Sequence, residues 1–351
     1  MSNAALADVS VMPAPPDTPP WRATRRPAAA CVRHAGTLAH AALLRNGGVT
    51  RAVPGFEATP FRVAGDEIIW VGSDGPEHPR TVLIDAVAAY GVLAISSATT
   101  ISFCNAAETL GGCAFSISRA RTTASRAILR LIGISTPRGF ASMLLGQSPP
   151  FPLSHRADAA RALAQACVSD DASAFVHHAQ RMLGVGSGLT PSGDDFVGGA
   201  LFALRLIHVR HAAPDVNVAA DAAPEVTGSA SDSADPSGAP ASRWQRAAAH
   251  IVGHAASRTH VISAALLSDL ARGQSYAALH GFAAAIAHGD AEAAFTHAAA
   301  LTSIGASSGW DMLAGFMAAL RGSAGQITPA PTLPHVSGTP HATTHGTHRH
   351  V

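Results

Sequence analysis

One stretch, Gly184–Phe196, constrains the fold more than any other part of the chain. It reads Gly-Val-Gly-Ser-Gly-Leu-Thr-Pro-Ser-Gly-Asp-Asp-Phe. Alternating glycines can adopt positive φ and let a backbone lie close to a ligand. The apolar, proline-free run from Phe196 to Leu206 predicts a buried helix. A glycine loop that enters a helix N-terminus presents unpaired N–H groups and the positive end of the helix dipole, which together favour an anion.

The same residues also resemble a helix-capping device. With Ser192 as the N-cap, Gly193, Asp194 and Asp195 become N1, N2 and N3, so Asp195 takes the place of the Glu or Gln of a capping box. Capping explains the Ser-Gly-x-Asp unit but does not require alternating glycines followed by Thr-Pro. Ligand binding and capping therefore both remain open for this stretch.

A second stretch repeats the design 116 positions later, since Ser192 aligns with Ser308. Ser192–Leu204 aligns on Ser308–Leu320 without gaps, and the serine, the next glycine, Asp195 with Asp311, and Gly199 with Gly315 are identical. Upstream, Gly-Ala-Ser at 305–307 is a shorter counterpart of the first glycine loop. The two helix starts could converge on one site, or they could be duplicated capping and packing devices.

The two motifs, Gly-x-Gly-x-Gly-Leu-Thr-Pro-Ser-Gly-Asp-Asp-Phe and the distal Gly-x-Ser-Ser-Gly-x-Asp, resemble the DUF2877 family. That family includes the AllH-type subunit associated with oxamate carbamoyltransferase in anaerobic allantoin breakdown. The resemblance covers residues 155–322 best and roughly 33–150 weakly. It implies a place in carbamoyl-group metabolism, within allantoin and purine nitrogen catabolism. It does not settle the reaction, because much of the family is uncharacterised.

If both helix starts face one pocket, their backbone and hydroxyl groups would hold a small anionic substrate such as carbamoyl phosphate. Asp194 and Asp195 are the catalytic candidates, because a carboxylate there could orient an amide, act as a base or carry Mg²⁺, the one cofactor considered. Carboxylates beside an anion need a cation or a proton. No metal ligand is assigned. The predicted substrate-binding residues are Gly186, Gly188, Thr190, Ser192, Gly193, Ser307, Ser308, Gly309 and Asp311.

Other enzyme classes find little support. The chain has no lysine, which excludes a P-loop, and its glycine spacing is not that of a dinucleotide-binding fold. It has no nucleophile-elbow motif, and its four cysteines have no catalytic context. The cluster of Arg119, Arg121 and Arg126 could bind an anion, but we expect it on the solvated face of a helix.

Charge and hydropathy limit the partners. The formal net charge is +1 with no basic run, so neither nucleic acid nor an anionic membrane is expected as a partner. No apolar run approaches the ~18–20 residues that a membrane span needs. The N-terminal residues lack the pattern of a secretory signal. We therefore expect a cytoplasmic protein.

The coarse pattern along the chain predicts an α+β fold, with a small β-rich N-terminal part packed on a larger, mainly helical part that carries both motifs. We expect strands at 61–63, 67–71, 81–84, 91–95 and 114–118. We expect helices at 119–132, 154–168 with Ser154 as N-cap, 171–182, 243–257, 258–272, 275–288 and 290–302. The predicted organisation is a disordered lead at 1–28, the β-rich part at 29–150, the helical part at 151–325 with a disordered insertion at 212–242, and a disordered His-rich tail at 326–351.

The leading functional hypothesis is an enzyme or enzyme subunit that acts on a carbamoyl or other small anionic substrate. The alternative is a non-catalytic binding or assembly subunit that needs a partner chain, such as an acyl-CoA-synthetase-like subunit, for chemistry. The motifs supply hydrogen-bond donors, but they identify neither a nucleophile nor a general base.

Overall fold

The computed structural model describes residues 30–85, 92–96, 99–102, 115–208 and 240–321. The predicted lead, the predicted tail and nearly all of the predicted insertion lie outside the described residues. Within the described ranges the chain has a small strand-containing N-terminal region and a mostly helical C-terminal region, which confirms the α+β class.

The N-terminal region is a mixed sheet with one helix against it. Its strands are β1 (Ala30–Gly36), β2 (Arg51–Ala52), β3 (Phe61–Ala64), β4 (Glu67–Gly72), β5 (Thr81–Ile84), β6 (Leu93–Ala94) and β7 (Thr100–Ser102), and its helix is α1 (Thr37–Arg45). The order is β2-β3-β4-β5-β1-β6, and β7 also pairs with β1. The β3–β4 hairpin is antiparallel, whereas β4 and β5 are parallel. Neighbouring parallel strands must be joined by a crossover connection, and residues 73–80 form this crossing between β4 and β5.

The helical region is built around two helices that carry the two motifs. Its helices are α2 (Ile117–Ile132), α3 (Ala157–Val168), α4 (Ala172–Gln180), α5 (Ser192–His208), α6 (Pro240–Ala255), α7 (Val261–Ala271), α8 (Ala277–His288), α9 (Ala291–Thr302) and α10 (Ser308–Arg321), with 3₁₀ helices at Gly139–Leu145 and Leu153–Arg156. The first thirteen residues of α5, Ser192–Leu204, are all buried. A helix with no solvated face must be surrounded by others, and α10, α7, α6 and the first 3₁₀ helix pack against it.

The helices α5 and α10 cross at two glycines. A Cβ on Gly199 would overlap the carbonyl oxygen of Met312, and a Cβ on Gly315 would overlap that of Phe196. Phe196 aligns with Met312 in the sequence repeat, so the two contacts are reciprocal. The two copies of the repeat are thus related by a local pseudo-twofold axis that passes through the crossing.

Several local predictions differ from the structure. The strand expected at 114–118 is wrong, because Ser116 is the N-cap of α2 and accepts the N–H of Arg119. Ser154 is not an N-cap, since it lies inside a 3₁₀ turn before α3. Helix α6 begins at Pro240, inside the predicted insertion, and α7 begins only at Val261.

One buried ion pair joins the sheet region to the helical region. Arg80 precedes β5 and is 4% exposed, and Asp269 of α7 is fully buried. Arg80 donates from Nε to Asp269 Oδ2 at 2.5 Å and from Nη2 to Oδ1 at 2.8 Å. Glu67 accepts a third hydrogen bond from Nη1 at 2.7 Å. Beside the pair, a small apolar cluster of Val53, Phe61, Ile262 and Leu266 fills the same junction.

Candidate functional site

The two helix starts are built alike in their main chain. The N–H of Gly193 donates to Val185 O at 2.8 Å, and the N–H of Gly309 donates to Ile304 O at 3.1 Å. These two glycine N–H groups, both predicted to contact a ligand, are therefore satisfied inside the protein. The glycines remain necessary for a different reason, because a Cβ on Gly193 would overlap the carbonyl oxygen of Met182, and one on Gly309 that of Leu301.

The serines at the two starts reach across to the other motif. Ser192 and Ser308 are the first residues of α5 and α10. Ser308 Oγ lies 2.7 Å from Thr190 Oγ1, and Ser192 Oγ lies 3.3 Å from Ser307 Oγ. The expected N-cap position of Ser192 is wrong, because α5 begins at Ser192 and the N–H of Asp195 donates to Pro191 O at 3.2 Å, which makes Pro191 the capping residue. The structure brings the two motifs together, as the convergent-site hypothesis predicted.

Asp195 and Asp311 occupy equivalent places on the two helices and are bonded crosswise. Ser308 and Thr190 hydrogen-bond to the Asp195 carboxyl, and the Ser192 and Ser307 hydroxyls hydrogen-bond to that of Asp311. Asp311 Oδ1 also accepts the N–H of Phe140 at 2.6 Å. Asp195 Oδ2 and Asp311 Oδ2 are both buried and make no hydrogen bond to any residue that the structure describes.

Burial raises the pKa values of both carboxyl groups in this pair. Desolvation is the largest cause in both, and it raises the pKa of Asp311 to about 7 from a usual 3.8. The pKa of Asp195 is raised well above its usual value by burial and then by the charge of Asp311. Two like charges in a site of low polarity cannot both ionise cheaply. The pair therefore retains protons at pH values where exposed carboxyl groups have lost theirs.

Asp194 differs from its neighbour in having both oxygens hydrogen-bonded. Oδ1 accepts the N–H of Gly184 at 2.7 Å, and Oδ2 accepts the hydroxyl of Ser263 at 2.6 Å. Asp194 thus ties the start of the glycine loop to α7. The polar segment before α7, residues 258–260, also lies beside the first motif, since His260 Nε2 lies 3.4 Å from Gly188 O.

A cavity of about 350 Å³ opens over the two glycine loops. Of the predicted site residues, Gly188, Thr190, Ser307 and Ser308 line it, whereas Gly186, Ser192, Gly193, Asp194, Asp195, Gly309 and Asp311 lie behind this surface. Gly186 and Gly188 have φ of 122° and 102°, which only glycine adopts readily. The main-chain N–H groups of Gly188 and Leu189 donate to no acceptor in the described part of the chain.

The opposite part of the cavity lining comes from the sheet region and was not predicted. It includes Phe61 and Trp70 of the β3–β4 hairpin, and His78 and Arg80 of the crossing before β5. Tyr276, which precedes α8, also lines it. A histidine and an arginine directly before a buried strand were the available signal. Sequence alone could not show that this crossing would meet residues more than a hundred positions away.

A metal site finds little support. Within the described ranges, no group of three or more His, Cys, Asp or Glu side chains could hold a metal ion. The unpartnered Oδ2 atoms of Asp195 and Asp311 are the oxygens that Mg²⁺ could use, but both lie at helix N-termini, whose dipoles favour negative charge. The Arg119, Arg121 and Arg126 side chains are exposed on α2, as expected. No helix in the described ranges combines the length and the apolarity that crossing a membrane requires.

Comparison with known families identifies one match. Residues 182–320 match the sequence profile of the family described as "Oxamate carbamoyltransferase subunit AllH". The matched segment contains both motifs, both crossing helices and the polar segment before α7. No curated protein and no solved structure matches the chain.

Proposed function

We propose that this protein is a subunit of a carbamoyltransferase and binds a carbamoyl compound or another small anion in the cavity over the two glycine loops. The observation that carries the proposal is the convergence of both motifs, with Thr190 and Ser308 hydroxyls 2.7 Å apart, on one cavity. The family match over residues 182–320 supports it, because that family is described as an oxamate carbamoyltransferase subunit. The DUF2877 resemblance supports a role in allantoin nitrogen catabolism, and the proposal includes a cytoplasmic location.

The charge distribution suits an anion. Two helix N-termini direct partial positive charge toward the loops, and the free N–H groups of Gly188 and Leu189 add donors. The carboxyl groups of Asp195 and Asp311 would repel an anion if both were ionised, but their raised pKa values favour a protonated, less charged pair. A protonated carboxyl can donate a hydrogen bond to a neighbouring hydroxyl instead of accepting one from it. The proton of that hydroxyl can then be donated to a ligand in the cavity.

The first test is calorimetric titration of the purified protein with carbamoyl phosphate, phosphate and oxamate, each with and without Mg²⁺. Ser308→Ala removes a hydroxyl from the cavity surface and should weaken carbamoyl phosphate binding about fivefold, the effect of about 1 kcal/mol. The matched control is Ser169→Ala, whose exposed hydroxyl donates to Gln165 O at 3.0 Å and does not line the cavity. Wild-type protein that binds none of the three ligands, or equal binding by wild type and Ser308→Ala, would contradict the anion site.

The protonation argument has its own test in Asp195→Asn. The amide resembles the protonated carboxyl, so this variant should retain carbamoyl phosphate at pH 8.5, where the wild type has lost affinity. Comparison at one pH cancels the ionisation of the ligand itself. If Asp195→Asn binds more weakly than wild type at both pH 6 and pH 8.5, the ionised carboxylate takes part in binding and the argument is wrong.

One observation favours the alternative, a binding or assembly subunit without chemistry of its own. Asp194 has both carboxyl oxygens engaged by Gly184 and Ser263, and Asp195 lies behind the cavity surface, so neither catalytic candidate reaches a ligand directly. A partner chain, such as an acyl-CoA-synthetase-like subunit, would then complete the reaction. Carbamoyl transfer to oxamate by the isolated chain would exclude this alternative, and activity only after co-purification with such a partner would support it.

A further inference from the structure

The crossing loop Pro76–Arg80 fixes His78 rigidly at the cavity. Thr81 donates its N–H to His78 O at 2.9 Å and its hydroxyl to Pro76 O at 2.9 Å. The carbonyl of Glu77 accepts the N–H of Ala277 at the start of α8, also at 2.9 Å. The loop is therefore held at once by the sheet and by the helical region, and the position of the His78 ring is set by both.

The hydrogen bonds of the ring determine its tautomer. His78 Nδ1 accepts the N–H of Arg80 at 3.1 Å, so Nδ1 carries no proton. The ring is 4% exposed and packs on the Tyr276 ring, with centroids 4.7 Å apart. Burial, followed by the charges of Arg80 and His280, lowers the pKa of His78 to about 3. A neutral imidazole whose Nδ1 is an acceptor carries its proton on Nε2.

The Nε2–H group opens to the cavity. His78 lines the cavity, and its Nε2 makes no hydrogen bond to another described residue. The Nε2 atom is also not fully buried, so it is accessible from the cavity. The neighbouring cation, Arg80, is already held by Asp269 and Glu67. His78 is thus an uncommitted, uncharged donor on a wall that otherwise presents aromatic rings and a neutralised guanidinium.

We propose that His78 donates a hydrogen bond from Nε2–H to a carbonyl or carboxylate oxygen of the bound ligand, while the hydroxyls of Thr190 and Ser308 hold its anionic end. This inference rests on the proposed function and assigns its site a residue outside the matched segment. A neutral donor has the same strength across the physiological pH range, and it selects ligands that carry an acceptor oxygen beyond the anionic group.

Titratable and charged groups surround the ring on each element packed against it. Glu77 and Arg80 share its loop, and Asp269 lies on α7 behind Arg80. Tyr276, which precedes α8, and His280 of α8 face it from the helical region. Burial lowers the pKa of His280 to about 4, and burial, followed by the charges of Asp195 and Asp269, raises that of Tyr276. His78 is accordingly expected to stay uncharged from pH 5.5 to pH 8.

The experiment compares two amides at position 78. His78→Asn can keep an oxygen near the Arg80 N–H but lacks a donor at the place of Nε2, whereas His78→Gln can place an amide N–H there. Calorimetric Kd values for carbamoyl phosphate should rise about fivefold in His78→Asn and less than twofold in His78→Gln. Kd for inorganic phosphate, which has no distal carbonyl, should change less than twofold in both. His280→Gln, at the buried neutral histidine outside the cavity lining, controls for loss of a buried ring.

The outcomes separate this inference from the proposed function. The role of His78 would be overturned, and the anion site would stand, if His78→Asn bound carbamoyl phosphate as tightly as wild type. The same conclusion would follow if both amide variants lost affinity equally for carbamoyl phosphate and for inorganic phosphate. No binding by wild type would remove both. Independently of any ligand, ¹⁵N spectra of the histidine ring, assigned by difference with His78→Asn, should show Nε2–H with no titration between pH 5.5 and pH 8. A proton on Nδ1 or a titration in that range would also overturn it.

Discussion

The buried carboxyl of Asp311 should make the stability of the protein depend on pH in a direction opposite to that of an ordinary carboxylate. Its pKa is about 7 in the folded protein and 3.8 when exposed, because burial disfavours the charged form. The folded state therefore binds this proton more tightly than the unfolded state. The resulting stability is fully present below pH 3.8 and is lost as pH rises through 7.

The size of the effect follows from the two pKa values. A difference of 7 − 3.8 = 3.2 corresponds to about 4 kcal/mol at 1.36 kcal/mol for each pH unit. Of this, about 2 kcal/mol should be lost between pH 5 and pH 7, because the folded carboxyl is itself half ionised at pH 7. In Asp311→Asn, the amide oxygen can still accept the N–H of Phe140, while the proton-dependent part disappears. Removing this charge also eases ionisation of Asp195, so the variant should flatten the pH dependence further.

The measurement is urea unfolding followed by circular dichroism at pH 5, 6, 7 and 8. Between pH 5 and pH 8, Asp311→Asn should lose about 2–3 kcal/mol less stability than wild type. The difference between the two curves is the test, because the buried neutral His78 and His280 add an opposite pH dependence to both proteins. Asp158→Asn is the control, because its side chain is 97% exposed and loses no hydration on folding. Parallel curves for wild type and Asp311→Asn would show that the Asp311 proton is not retained in the folded protein, and the reasoning would fail.

Two further predictions concern packing and the buried ion pair. Gly199→Ala should lower the free energy of unfolding by roughly 1–3 kcal/mol, because a Cβ there overlaps the Met312 carbonyl. The control Gly253→Ala, on the exposed face of α6 with nothing within 4 Å, should raise it by about 0.5–1 kcal/mol. Equal effects of the two substitutions in calorimetry would contradict the close crossing. Asp269→Ala should lower the free energy of unfolding by about 3–5 kcal/mol, because it leaves Arg80 buried and unpaired. Adding Arg80→Met to the same chain should recover part of that stability in a double-mutant cycle. Additive losses would mean that the two side chains are not coupled.

The repeated helix start could be recognised from sequence because its determinants are local. Ser-Gly-x-Asp followed by a glycine seven positions after the serine appears twice, and both copies begin helices in the structure. The predicted cap was wrong because the first helical hydrogen bond runs to Pro191 O, one residue earlier, while the Ser192 hydroxyl lies 3.3 Å from that of Ser307 in the other motif. A hydroxyl that can satisfy its own helix can equally satisfy another, and only tertiary contact decides between them.

The sheet side of the cavity could not be predicted, because nothing local marks it. The strands β3, β4 and β5 were expected from their β-branched runs, but their position against α7 depends on Arg80 and Asp269, which are 189 residues apart. A single arginine before a strand has many structural explanations. Its pairing with a fully buried aspartate emerges only when both regions are folded together.

The close packing of α5 against α10 affects both the protonation of the carboxyl pair and the proposed ligand site. Gly199 and Gly315 let the two backbones touch, and each lies seven residues, about 10 Å of helix, from the serine at its helix start. That contact is what places Asp195 beside the hydroxyl of Ser308 and Asp311 beside that of Ser192. A side chain at either glycine would separate the helix starts and admit water to the carboxyl pair. Gly199→Ala should therefore also reduce the pH dependence of stability, because hydration would lower the pKa of Asp311 toward its usual value.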